Sequence, residues 1–136
     1  MVRLQNNSPP LPWLRRTFDL NIIHARAIAH VSSLGYHELY INGKIIDDSV
    51  LTPAVCDFEK RSLYRAYDIS GFLEKGRNCI ALWLGRGGYA RGMPGVIHDG
   101  PLVAAHVSID LVDGQRKRIK TDNSWRVRAS SITPIG

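Results

Sequence analysis

Short apolar runs, most of them alternating with polar residues, recur along the chain between positions 14 and 128. Alternation with a period of two is typical of a strand with one buried face, and it is clearest at 62–68 and 102–112. Residues 78–84 (NCIALWL) are apolar at nearly every position, which predicts a strand at the centre of a sheet or covered on both faces. The pattern predicts further strands at 14–20, 25–33, 36–41, 44–46, 115–121 and 125–128.

Two segments have sequences that also suit helical structure. Residues 25–33 (ARAIAHVSS) also suit a helix because alanine is a good helix former. Their apolar residues share one face of a strand, however, and Gly35 and the next strand pattern cut the segment short, so we favour the strand. Residues 68–73 predict a short helical turn with Asp68 or Ser70 as its cap, ended by Gly76.

Glycine marks the turns of the predicted fold. Asn42-Gly43 lies between two apolar runs, and both residues tolerate the positive φ of a type I′ turn, so a hairpin is expected there. Asp113-Gly114 predicts a second hairpin. Residues 85–100 are so rich in glycine that they predict a long loop, and long loops in compact domains are usually functional or disordered.

These elements predict an all-β fold, a β-sandwich of jelly-roll or galactose-binding-like type. A length of 136 residues suits one domain with its own core. We expect residues 1–13, with their prolines, to be a leader or linker, and 14–136 to be a single β-sandwich accessory domain that is truncated near its C-terminal end.

Charge and hydropathy narrow the function classes. The net charge is +6 and the sequence pI is near 9.7, but the basic residues are scattered and not interleaved with aromatics. This favours a solvated basic surface over a nucleic-acid site. No apolar run approaches the roughly 18 residues that a membrane span needs, so no membrane partner is expected. The compartment stays open, because a soluble cytoplasmic protein and a secreted one are both compatible with this composition.

The residue types that form metal centres are dispersed. Cys56 and Cys79 lack the spacing of a zinc site, and the five histidines show no ligand spacing with a third group. Cys79 lies in an apolar strand and is predicted to be a small core residue. Whether Cys56 and Cys79 form a disulfide stays open, because that depends on the redox compartment.

Three stretches, taken in order, resemble the N-terminal domain of bacterial α-L-rhamnosidases. They are GYHELYINGKIIDDSVLTP (35–53), KRSLYRAYDISGFLEKGRNCIALWLGRGGYARG (60–92) and DGQRKRIKTDNSWRV (113–127). No single stretch is specific to this family, but the three stretches in this order and with this spacing are. Two segments depart from the family pattern: Arg86 and Gly88 replace an acid and a tryptophan in the glycine loop, and 53–58 lacks the family's Pro-Gly-Trp-Thr-Asp-Tyr sequence.

The resemblance implies an accessory role. Relatives of this kind carry their catalytic acids in a separate helical-barrel domain, and no carboxylate here stands in a pattern that marks a general acid or base. We therefore expect no catalytic residue in this chain, a parent glycoside hydrolase that removes terminal α-L-rhamnose, and the parent's catalytic domain as a partner. The alternatives are a carbohydrate-binding galactose-binding-like sandwich from another glycosidase, or a purely structural interaction domain.

Sugar and metal sites of sandwich domains lie in the loops at the strand ends. The resemblance implies a rhamnose-containing carbohydrate as the ligand. It also implies calcium as the cofactor, because some rhamnose-binding modules that resemble this domain use calcium. Asp47 and Asp48 offer oxygen ligands for calcium. The candidate carbohydrate-binding residues are Asn42, Arg86, Tyr89, Arg91 and Asp99.

Overall fold

Two antiparallel sheets pack face to face in the computed structural model, which describes residues 11–89, 93–97 and 100–132. Within that part of the chain there are nine strands: β1 (Pro12–Leu20), β2 (His24–Leu34), β3 (Tyr36–Ile41), β4 (Lys44–Ile45), β5 (Tyr64–Asp68), β6 (Gly76–Gly85), β7 (Leu102–Leu111), β8 (Arg116–Lys120) and β9 (Arg126–Ala129). One sheet has the order β4-β3-β6-β1-β9 and the other β5-β2-β7-β8. The predicted all-β, jelly-roll or galactose-binding-like sandwich is confirmed.

The core lies between the inner faces of the two sheets. Alternate residues of the longer strands point inward and are buried, as the period of two in the sequence requires, whereas the residues of β4 and β9 are exposed. Each fully buried aliphatic side chain contributes about 1.5–3 kcal/mol. Trp125 closes the core near the last strand, and its Nε1 donates to the Lys120 carbonyl at 3.0 Å. The side chains that β6 and β7 contribute to the core cluster are Ile80, Leu82, Leu84, Val103, Ala105, Val107 and Ile109.

β6 lies at the centre of its sheet, between β3 and β1, which confirms its predicted position. Its two faces differ, because the inward residues are buried whereas Cys79, Ala81 and Trp83 on the outer face are only half-buried. The prediction that Cys79 is a core residue is therefore wrong. Cys79 and Cys56 are both free thiols in the structure.

Both predicted hairpins are confirmed. In the β3–β4 turn, Asn42 and Gly43 have φ values of 51° and 79°, the left-handed conformation that a type I′ turn requires. Asp113-Gly114 joins β7 to β8, with Gly114 at a φ of 86°.

The predicted helical turn is a short 3₁₀ segment, Ser70–Phe72. Its N-cap is Ile69, which makes no side-chain capping bond, so the prediction that Asp68 or Ser70 caps it is wrong. The Asp68 carboxylate instead accepts bonds from the Ser70 backbone N–H at 3.0 Å and the Ser70 hydroxyl at 2.6 Å. These bonds form a local turn that leads into the helix and lower the pKa of Asp68.

The chain passes from one sheet to the other at Gly35, between β2 and β3. Gly35 has a φ of 103°, and a Cβ built there would lie 2.3 Å from the Gly85 carbonyl oxygen. Only glycine allows this approach, which brings the crossing of the sheets against the end of β6 and the start of the glycine-rich loop.

β1 begins at Pro12 rather than at Leu14, and it is an interior strand. It pairs with β6 on one side and β9 on the other, so that Trp13 lies opposite both Trp83 and Arg128. No helix in the described ranges is long and apolar enough to cross a membrane.

Candidate functional site on the outer face of the five-stranded sheet

Asn42 is fully engaged in holding the fold together. Its Nδ2 donates to the Phe72 carbonyl at 3.0 Å and to Asn78 Oδ1 at 2.9 Å, and its Oδ1 accepts from the Cys79 N–H at 2.8 Å. Asn78 in turn bonds the backbone of Glu74 and so secures the turn before β6. In this arrangement the Asn42 amide has no free hydrogen left to donate to a sugar.

The two described candidates of the glycine-rich loop differ in exposure. Arg86 is exposed, and its carbonyl accepts a bond from the Tyr89 N–H at 3.0 Å. Tyr89 is only 2% exposed and packs edge-on against Phe58 at 5.3 Å. Its hydroxyl is buried without a hydrogen-bond partner among the described residues. Tyr89 therefore forms part of the loop's own packing, whereas the Arg86 side chain is available to a ligand.

Arg91 and Asp99 lie outside the described residues, so the structure places neither of them. Their role in carbohydrate binding stays a prediction.

Asp47 and Asp48 have different surroundings. The Asp47 carboxylate forms an ion pair with Arg65 at 2.6 Å and accepts bonds from Ser49, whereas Asp48 is exposed. A calcium ion at this position would have to compete with the Arg65 guanidinium for Asp47. No group of three or more metal-binding side chains comes together in the parts of the chain that the structure describes. The calcium site stays a prediction.

A buried chain of polar side chains, which the sequence analysis missed, connects the two sheets. His37 Nδ1 lies 2.7 Å from the Ser33 hydroxyl, and His37 Nε2 lies 2.9 Å from the Tyr67 hydroxyl. Burial, followed by the nearby Arg65 charge, lowers the pKa of His37 to about 4. Burial also raises the pKa of Tyr67 to about 12. Both groups are therefore neutral near pH 7.

Aromatic side chains cluster on the outer face of the five-stranded sheet. Trp13 and Trp83 are cross-strand partners that stack with ring centres 5.3 Å apart and an interplanar angle of 3°. Tyr40 lies 5.1 Å from Trp13, and its hydroxyl donates to Glu38 at 2.6 Å. Aromatic pairs of this kind contribute about 0.5–1.5 kcal/mol beyond the area they bury. The apolar run at 78–84 also suited a strand covered on both faces, whereas in the structure Trp83 of that strand is half-buried on this outer face.

An apolar patch adjoins this cluster. It forms a groove of about 330 Å³ beside Trp83. Val50 and Leu51 project from the loop after β4 and are 79% and 67% exposed. A bond from the His37 N–H to the Thr52 carbonyl, 2.8 Å long, ties this loop to the sheet. The apolar patch consists of Leu11, Tyr36, Val50, Leu51 and Trp83.

The family described as the α-L-rhamnosidase N-terminal domain matches residues 23–135. The chain belongs to this family. Within the domain, the match begins after β1, although β1 is an interior strand of the sheet.

Individual relatives agree with this assignment. The domain is 27% identical over 129 residues to an α-L-rhamnosidase of Formosa agariphila. The alignment covers 88% of this chain and 14% of that protein. It is similar to the solved structure of α-L-rhamnosidase from Dictyoglomus thermophilum at 34% identity and a TM-score of 0.81, over 88% of this chain and 13% of that one. The chain thus spans about one seventh of the length of such relatives.

A second solved structure is the Streptomyces avermitilis α-L-rhamnosidase complexed with L-rhamnose. It is 26% identical with a TM-score of 0.81, over 90% of this chain and 12% of that one. The matched domain is thus a small part of each of these relatives.

Proposed function

We propose that this domain is the non-catalytic N-terminal accessory domain of an α-L-rhamnosidase-like glycoside hydrolase, and that it docks on the catalytic domain of the parent chain through the apolar patch. The observation that carries the proposal is the exposure of Val50 and Leu51 beside the half-buried Trp83. Contiguous exposed apolar side chains in a soluble domain mark interaction surfaces.

The local structure shows that this exposure is built in. Leu51 has a φ of 56°, a left-handed conformation that costs a branched residue about 1–2 kcal/mol. The same loop is anchored to β3 by the bond between His37 and Thr52. A strained, anchored loop that presents two aliphatic side chains to solvent is best explained by a partner that covers them.

The partner is proposed from the chain's size relative to its relatives. The Formosa agariphila α-L-rhamnosidase is matched over only 14% of its length, so an enzyme of that kind has a large remainder against which this domain can pack. In this proposal the parent releases terminal α-L-rhamnose from glycosides, its catalytic carboxylates lie in that remainder, and its substrate is a rhamnose-containing carbohydrate.

The test uses the full-length parent enzyme. We expect Leu51→Asp to lower the melting temperature of the parent and its kcat/KM on an aryl α-L-rhamnoside, because an aspartate would be buried at the interface. Tyr64→Asp is the matched control, since Tyr64 is 68% exposed on β5 of the other sheet. Equal effects of the two substitutions would contradict docking through the apolar patch, and release of the chromophore by the 136-residue chain alone would contradict a non-catalytic role.

Carbohydrate binding at the glycine-rich loop is the second candidate function, and the exposure of Arg86 favours it. The test is an NMR titration of the labelled chain with L-rhamnose, with calcium and then with a chelator. Saturable shifts confined to 42–48 and to the glycine-rich loop would support a sugar site, and their loss with chelator would support calcium at Asp47 and Asp48. An absence of shifts at high sugar concentration would leave docking as the function.

A further inference from the structure

A second groove, of about 580 Å³, lies on the other side of the Trp13–Trp83 stack. Trp13 and Ala81 line it, together with the residues of β9 and the two serines that follow, Ser130 and Ser131. We call this space, together with the three arginines that line it, the arginine groove. The three are Arg15, Arg126 and Arg128. Its volume lies within the range of sites that bind small ligands.

The arginines are arranged in a way that is unfavourable without a ligand. Arg15 on β1 and Arg126 on β9 are directly opposite each other in the strand register, and Arg128 is opposite Trp13. Like charges directly opposite across two strands destabilise a sheet. None of the three forms an ion pair with any described residue, whereas their neighbour Arg16 pairs with Asp122 at 3.3 Å.

We propose that the arginine groove binds an acidic oligosaccharide, with a carboxylate or sulfate held by Arg15, Arg126 and Arg128 and a sugar ring against Trp13. Guanidinium groups bind such oxyanions through two parallel hydrogen bonds. Bound oxyanions also relieve the repulsion between Arg15 and Arg126. This site goes beyond the docking role proposed above. Its lining residues are not those of the apolar patch, although Trp13 stacks on Trp83 of that patch.

The side chains that line the groove favour a saccharide over a nucleic acid. Single-stranded nucleic acids are bound by a series of aromatic side chains along a basic track. The arginine groove has one aromatic side chain, Trp13, and one face of that ring is already stacked on Trp83. A single aromatic wall with clustered arginines suits one or two sugar units that carry an anion.

The test is an NMR titration of the 136-residue chain with trigalacturonate, and with its methyl ester as a neutral probe of matched size. We expect saturable shifts of the Trp13 indole N–H, and none from Trp125, whose indole is bonded inside the fold. A sulfated disaccharide forms a second arm that distinguishes sulfate from carboxylate. An oligonucleotide of equal charge forms a third.

Variants locate the site. Each of Arg126→Gln and Arg128→Gln should weaken trigalacturonate binding about tenfold, since each removes a charge-assisted hydrogen bond. Arg118→Gln on β8 of the other sheet removes the same charge and should leave binding unchanged. Circular dichroism shows whether each variant keeps its fold.

Several results would overturn the proposal. They are an absence of saturable shifts at 10 mM trigalacturonate (about the weakest binding worth assigning to a site), equal binding of the methyl ester, equal weakening by Arg118→Gln, or tighter binding of the oligonucleotide. Because Leu51 and Val50 take no part in this site, failure here would leave the docking proposal standing, and failure of docking would leave this site standing.

Discussion

The imidazole Nε2 of His37 lies 2.9 Å from the hydroxyl of Tyr67, and this contact joins the two sheets inside the core. His37 belongs to β3 of one sheet and Tyr67 to β5 of the other. Ser33 holds the second ring nitrogen at 2.7 Å, so both nitrogens of the imidazole have partners. A neutral histidine with two satisfied nitrogens is stable in the core, whereas a protonated one is not.

We expect the free energy of unfolding to fall as the pH drops. The pKa of His37 is about 4 in the folded protein against 6.5 for the free side chain, so between these values the unfolded chain binds more protons. The stability from neutral His37 is complete above pH 6.5 and is lost as the pH falls to 4, a loss on the order of 3 kcal/mol.

Urea unfolding at pH 7.5 and at pH 4.5 measures this effect. His37→Gln should be less stable at pH 7.5 and should show a smaller change between the two pH values. His106→Gln, at an exposed histidine on β7, is the control and should keep the full pH dependence. If His37→Gln kept it as well, another group would be responsible.

Gly35→Ala should destabilise the domain by roughly 3 kcal/mol or more, because it combines a strained φ with a clash against the Gly85 carbonyl. Gly43→Ala is the matched control, since Gly43 also has a positive φ but nothing lies within 4 Å of its missing Cβ. Thermal unfolding of both variants separates the clash from the strain. Equal losses of stability in the two variants would show that the clash of the added methyl group with the Gly85 carbonyl adds nothing to the cost of the strained φ.

Tyr89→Phe should leave the stability of the domain unchanged or raise it slightly, by up to about 1 kcal/mol. The hydroxyl that it removes is buried without a partner among the described residues, and such a group costs free energy. Tyr67→Phe, which removes a hydroxyl that does have a partner, should cost about 1 kcal/mol. Melting temperatures of the pair measure the difference, and a large loss in Tyr89→Phe would reveal a bond that this hydroxyl makes.

Leu51→Asn should stabilise the isolated domain by about 0.5–1 kcal/mol, because asparagine adopts a left-handed conformation more readily than leucine. In the full-length parent the same substitution should weaken docking, since it removes an exposed aliphatic side chain of the apolar patch. Val50→Asn, at an equally exposed position without positive φ, should be neutral in the isolated domain. Denaturant unfolding of the domain and thermal unfolding of the parent give the two readouts. Destabilisation of the isolated domain by Leu51→Asn would show that Leu51 makes contacts that outweigh its strain.

The strands and hairpins were predictable because their information is local. Alternation at 102–112 and the Asn42-Gly43 pair each determine backbone conformation within a few residues.

The surfaces were less predictable because they depend on contacts between distant segments. Trp13 was assigned to a leader, and nothing near it in the sequence indicates that it stacks on Trp83. His37 had a usable signal, since it occupies an inward position in the same alternation as Leu39 and Ile41. Asn42 was a candidate sugar ligand in the sequence. Its three hydrogen bonds to other segments, which occupy its amide, become visible only in the fold.

The interior place of β1 has a consequence for how the domain is made. β1 is synthesised first, yet one of its neighbours is β6 and the other is β9, the last strand described. During translation its edge toward β6 stays open until the middle of the sandwich has left the ribosome, and its edge toward β9 stays open until nearly all of it has. Late pairing between such distant segments is slow, so the nascent chain exposes strand edges that chaperones or neighbouring chains can capture. A shortened version that starts at residue 23, where the family match begins, would avoid this wait but would lose the strand that connects β9 to the sheet.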